Sequence, residues 1–272
     1  MKFISTLLLT SFLYLSAASQ GWKLTGNYSL GLPQQQMGKN IQPAHSLQSG
    51  ILYQLCGNLS QLSVGFGLGI GSYANKRIEQ TFQFDNNTAS VVPVNYSSNT
   101  FNVNFQTRFD LLKGNYLITP YINAKGGLYN FFSTIYIDDP NDAGGCHALE
   151  QKTLINDNTL YWSAGGGLQI DPKIFMKGCS CQKKNSDNKK GKSNLQIDLG
   201  ANVIHGGTMN YINTKHLVDA QTVTDPAGKP LQVQFINASS QQIHEHTVAQ
   251  VYTSTLRMVE FTLGITLQLG NN

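Results

Sequence analysis

Residues 99–112 read NTFNVNFQTRFDLL, and their alternation is unbroken. Phe101, Val103, Phe105, Phe109 and Leu111 share one parity with Thr107, whereas Asn102, Asn104, Gln106, Arg108 and Asp110 share the other. A period of two puts successive side chains on opposite sides of an extended chain, so this is a strand with one oily face and one wet face. It runs for about a dozen residues. That is roughly twice the strand of a typical soluble domain and close to the length of a tilted strand crossing a bilayer.

The pattern recurs on both sides. Upstream, Leu24, Tyr28, Leu30 and Leu32 alternate with Lys23, Thr25, Asn27 and Ser29, and Val64, Phe66, Leu68 and Ile70 alternate with Gly65, Gly67 and Gly69. Downstream, Leu195, Ile197, Leu199 and Val203 face Gln196, Asp198 and Asn202, and Val259, Phe261, Leu263, Ile265 and Leu267 face Glu260, Thr262 and Gln268. Counting similar runs at 45–55, 116–132 and 159–171, the chain carries eight alternating strands, with the first at 22–32 and the last at 251–269. Cys56-Gly57-Asn58 and Lys113-Gly114-Asn115 read as tight turns. Polar connections at 33–44, 72–98, 133–158 and 206–250 alternate with the short ones, and 172–194 is intermediate. Such alternation suits an up-and-down barrel that spans a membrane, with short turns on the periplasmic side and long loops outside. An even strand count closes the sheet and removes its edges.

The amino terminus supplies an address. Met1-Lys2 precedes the apolar run Phe3–Leu15 and the small residues Ser16-Ala17-Ala18-Ser19, the pattern of a secretory leader cut after Ser19. The domain reading is a leader at 1–19 and a barrel at 20–272. No later segment offers a run of about 18 apolar residues, so helical spans are not expected. A mean hydropathy of −0.21 fits alternating strands, which average to near neutrality.

The oily parity of the first seven strands carries no charge, which assigns it to lipid, because a cation at mid-bilayer on that face costs about 2–4 kcal/mol. Arg257 shares that parity in the last strand and is expected at the outer rim or beyond a bulge. The wet parity then faces a lumen that eight strands leave just wide enough for side chains to fill. Charges buried there need partners. The expected structural network pairs Arg108 and Lys125 with Asp198 and Glu260.

Several stretches carry a family resemblance: AASQ at the leader's end, WSAGGGLQID at 162–171, HGGTMNYIN at 205–213 and the closing VEFTLGITLQLG at 259–270. In pattern the chain resembles the small outer-membrane β-barrel proteins of Gram-negative bacteria, most closely the eight-stranded barrels common in the Bacteroidota. It departs from them in ending Leu269-Gly270-Asn271-Asn272, where such barrels usually end in an aromatic residue. The resemblance implies an outer-membrane location and outer-membrane lipid and lipopolysaccharide as surroundings.

Other stretches hold residue types that can carry chemistry. In an oxidising compartment Cys56 could bridge to Cys179 or Cys181, and Cys146 lies in a surface loop. His244-Glu245-His246 has the alternate spacing of a metal half-site, to which Cys146-His147 could add ligands, but histidines in polar loops are commonly unmetallated. His205 ends a strand, yet no nucleophile-elbow motif accompanies it. The segment 172–194 carries seven lysines between Lys173 and Lys192 against the single acid Asp187. It reads as a solvated periplasmic loop or as an electrostatic dock for an acidic envelope protein or for anionic headgroups. No cofactor and no nucleic-acid partner are expected. The expected role is a non-enzymatic structural or surface-binding barrel, an accessory of an envelope or secretion assembly being one form of it. A narrow channel and a lipid-modifying enzyme are the alternatives.

Overall fold

A computed structural model describes residues 21–83, 89–114, 116–138, 148–176, 195–215, 227–236 and 243–269. The leader lies outside this set. The strands are β1 (Trp22–Pro33), β2 (Ala44–Gln54), β3 (Leu62–Gln83), β4 (Ala89–Asp110), β5 (Ile118–Asp138), β6 (Ala148–Ile170), β7 (Leu195–Ile212), β8 (Lys229–Ile236) and β9 (Ile243–Leu269). A short helix, α1 (Gln35–Asn40), follows β1, and a second, α2 (Lys173–Met176), follows β6. No described helix is long and apolar enough to cross a membrane.

Every strand pairs antiparallel with its neighbour, in the order β1-β2-β3-β4-β5-β6-β7-β9, and β1 pairs with β9 to complete the ring. The closing ladder runs from Trp22 opposite Leu269 to Pro33 opposite Met258. Eight strands therefore form a closed barrel. β8 is a ninth strand added to the upper end of β9.

The strands exceed the sequence reading. β1 and β2 have 12 and 11 residues, but β3 and β4 have 22 each and β9 has 27. About 9–11 residues suffice to cross a bilayer, so six of the barrel walls continue well beyond such a span. The connections read as loops at 72–98, 133–158 and 206–250 are largely this continuation. The reason lies in the ladders: register shifts fall at Ser72/Ala74, Ser133/Thr134 and His205/Thr208. An extra residue at a bulge breaks the strict period of two. The alternation read from sequence stops at Gly71, Phe132 and His205, beside those bulges.

Below the bulges the outward side chains are oily and bare, including Phe66 at 65%, Leu160 at 74% and Leu263 at 55% exposed, while Asn102, Asn104, Arg108 and Asp198 point in and are buried. Above them the order inverts. Val94, Tyr96, Ile135, Ile155 and Ile212 form an interior apolar cluster, and Asn75, Asn156, Asn210 and Thr253 are exposed. Cross-strand amide contacts line this outer surface, with Asn130 Nδ2 donating to Asn156 Oδ1 at 2.7 Å and Thr253 Oγ1 donating to Asn210 Oδ1 at 2.6 Å.

Between the two zones sits a plug. Met37 and Ile41 of the α1 segment pack with Tyr73, Phe131, Met209, Tyr211, Leu256 and Met258 in one buried cluster. Asn40 Nδ2 donates to Tyr211 Oη at 3.3 Å, and the Lys215 backbone N–H donates to the Asn40 carbonyl, which tie α1 to the end of β7. α1 thus closes the side where β1 and β2 stop short. Met37→Ala is expected to lower the unfolding free energy by about 2–5 kcal/mol, the range for truncating a buried methionine, as read from urea midpoints in micelles.

Candidate functional site: the charged lumen

The lumen side chains come from the inward parity of β1, β2, β4, β5, β7 and β9. Two buried ionic groups result. In the lower one, Lys23 Nζ lies 3.1 Å from Asp110 Oδ2, and Arg108 reaches Asp110 Oδ1 through Nε at 3.2 Å and Asp198 Oδ2 through Nη1 at 2.8 Å. Tyr121 Oη donates to Asp198 Oδ1 at 2.6 Å, and Thr266 Oγ1 donates to its other oxygen at 3.1 Å. The Arg108 guanidinium carbon stands 3.5 Å from the centroid of the Tyr121 ring. The ring needs bare backbone beneath it: a Cβ on Gly200 would come within 2.9 Å of Tyr121 Oη.

The upper group centres on Glu260. Its Oε2 accepts from Lys125 Nζ at 3.2 Å and from Asn202 Nδ2 at 3.2 Å, and Oε1 accepts from Ser29 Oγ at 2.9 Å and from Gln48. Lys125 also donates to Gln48 Oε1 at 3.1 Å. The carboxylate is thus bound by four donors from four strands.

The four residues singled out in the sequence are brought together in two pairs: Arg108 with Asp198, and Lys125 with Glu260. Lys23, Asp110 and Tyr121 complete the lower group and were not paired by sequence reasoning. Arg108 and Asp110 are two apart on one strand and so share a face, which was the available signal. Nothing local to Lys23 or Tyr121 names their partners, which lie 87 and 77 residues away. Each group is formally neutral, as burial demands of ions with no water to solvate them.

A recess of about 340 Å³ opens beneath Lys23, Asp110 and Thr119, but little space remains at mid-lumen. A cavity of about 40 Å³ lies among Thr25, Gln48, Asn104, Lys125 and Asn202. Around it, Asn27 Oδ1, Asn104 Oδ1, Arg108 Nη2, Asn123 Oδ1 and Asn202 Oδ1 have no hydrogen-bond partner among the described residues. Such a space suits one or a few bridging waters and is too small for a continuous solute path.

The remaining candidates separate from the lumen. His205 is on the outer surface, stacked on Trp162 with centroids 4.9 Å apart. Arg257 is opposite His205, next to the β7 bulge. Cys56 is exposed beside a single 3₁₀ turn (Gly57–Leu59). Cys146, His147, Cys179, Cys181 and residues 177–194 of the basic segment lie outside the described residues, as do the side chains of His244, Glu245 and His246. The backbone of 244–246 pairs with β8, opposite Val233–Phe235.

Removing one member of a buried pair leaves its partner's charge uncompensated. Glu260→Gln and Arg108→Met should each lower stability by about 3–5 kcal/mol. The double variant Lys125→Met with Glu260→Leu should be less destabilised than Glu260→Leu alone, a coupling read from urea midpoints of the four proteins in the cycle.

No protein-family model matches the chain, and no curated protein does. Among solved structures it is similar to Neisserial surface protein A, at 8% identity and a TM-score of 0.41 over 92% of this chain and 97% of that one. It is also similar to the translocator domain of the autotransporter NalP from Neisseria meningitidis, at 10% identity and 0.29 over 97% and 96%. A third is the outer membrane protease OmpT from Escherichia coli, at 8% identity and 0.28 over 92% and 97%. Similarity this slight assigns no activity, and the architecture stands on the ladders themselves: this chain folds as a closed eight-stranded antiparallel barrel.

Proposed function

We propose that the protein is a non-enzymatic outer-membrane barrel of a Gram-negative envelope, plugged in its lumen and built to hold a walled platform above the bilayer for structural or surface-binding work. The inversion of polarity along single strands carries this reading. In β4, Phe101, Val103 and Phe105 stand outward and exposed, and Val94 and Tyr96 of the same strand are buried inside. One strand takes both arrangements only where its outer surroundings change from hydrocarbon to water. In water, an uninterrupted oily belt around all the barrel strands would drive association.

Orientation follows from connection length: the short connections after β2 and β4 face the periplasm and the extended walls face out. The ion-paired lumen and the Met37 plug favour a closed barrel over a channel. The walls above the rim, with polar outer faces on an apolar core, give recognition a rigid base.

Two measurements test this. In planar bilayers the refolded protein should give no stable conductance steps; steady unitary currents would reassign it as a channel. In lipid vesicles Leu263→Arg should cost about 2–4 kcal/mol of unfolding free energy and Thr253→Arg under about 1 kcal/mol, the difference expected between mid-bilayer and the water side. Equal costs would remove the membrane belt.

A further inference from the structure

The outward row of β9 reads, from the middle of the belt upward, Ile265, Leu263, Phe261, Val259, Arg257, Thr255 and Thr253. Oil gives way to polarity at Arg257. Its cross-strand neighbour is His205, which lies against the exposed Trp162. The backbone N–H of Gln34 donates to the Arg257 carbonyl at 2.8 Å, which sets the start of α1 beside it. One step higher, an open hollow of about 550 Å³ is lined by Gln35, Gln36, Lys39, Thr208, Ser254 and Thr255. The lining holds hydroxyls, amides and a cation, and no acid. Thr208 pairs with Thr255, about 7 Å along the strand from Arg257.

We infer that this corner of the rim, between α1 and the β7–β9 edge, is a binding site for the phosphorylated headgroup of an outer-leaflet glycolipid. The inference rests on the membrane reading above. A phosphate borne on acyl chains lies at the boundary between hydrocarbon and water, which is where Arg257 stands. The guanidinium offers a planar fork matched to phosphate oxygens, Lys39 adds a second positive charge, and the Thr and Ser hydroxyls and Gln amides supply neutral donors for sugar oxygens. Trp162 and the Val259–Phe261 row beneath provide the surface along which acyl chains lie. Elsewhere cations on the oily face are absent from the sequence, so Arg257 is retained at a height where it meets headgroups and not tails. The Lys215 ammonium donates to the Gly38 carbonyl, so it steadies the helix.

The test uses the full chain refolded in detergent, its barrel confirmed by heat-modifiable migration in gels. Bound lipid is read by native mass spectrometry during titration with diphosphorylated lipid A and with the same lipid stripped of phosphate. Retention of the stripped lipid should be at least tenfold weaker. Arg257→Gln combined with Lys39→Gln should weaken retention of the intact lipid by a similar factor with migration unchanged, and Arg257→Lys should recover only part. Equal retention of the two lipids, or a double variant equal to the parent, overturns the site. Displacement of lipid by micromolar inorganic phosphate overturns the lipid as its source and names a free anion. Loss of heat-modifiable migration in the parent protein overturns the barrel reading instead, and is seen before any lipid is added.

Discussion

The structure depends on one ladder, the pairing of β1 with β9 from Trp22 to Pro33. A chain passing through hydrocarbon finds no water for its N–H and C=O groups, and each unpaired group costs several kcal/mol. A sheet meets that demand only if it has no first and last strand. Once the ring closes, the inward parity is committed to a narrow interior and the outward parity to the surroundings. The short spans of β1 and β2 mark the height over which closure is needed. Above that height the sheet is open, β8 extends it on one side, and water can satisfy what the strands leave unpaired.

The closed ring explains the unusual interior. Soluble domains bury apolar residues, whereas here the described lumen below the rim buries lysine, arginine, aspartate and glutamate. Eight strands leave too little room for bulk water, so each ion must be neutralised and hydrogen-bonded by its neighbours. Asp198 is met by Arg108, Tyr121 and Thr266, and Glu260 by Lys125, Asn202, Ser29 and Gln48. Those contacts cross the barrel and join strands that are far apart in sequence, which makes the network a brace as well as a filling. The glycines of β3, β6 and β7 are part of the same solution, since the larger inward side chains opposite them need the space a Cβ would occupy.

On the membrane reading proposed above, the rim is where the two solvents meet, and the protein marks it in three ways. Bulges change the course of β3, β5–β6 and β7. α1 enters the mouth with Met37 and Ile41 and separates the ionic lumen from the apolar core above. Aromatic and imidazole rings collect on the outside, with Trp162 on His205 and Tyr28 hydrogen-bonded to His45. On that reading these features share a cause: a side chain at the boundary of hydrocarbon and water has each solvent on one flank, which favours amphipathic groups.

Much of this was written in the order of the residues. Period-two alternation fixed eight strands, their inward and outward faces and the closed architecture, because side-chain direction in an extended chain follows sequence parity. The same parity placed Arg108, Lys125, Asp198 and Glu260 in one interior. Sequence could not follow the strands past their bulges, since one inserted residue reverses the parity and a second change of solvent reverses the hydrophobic face, so walls such as Ala74–Gln83 read as loop. Nor could it foresee that Lys23 meets Asp110, that Tyr121 lies under Arg108, or that Met37 fills the mouth. Those neighbours are chosen by shear and closure of the ring, a property of all the strands together, and only the folded barrel decides them.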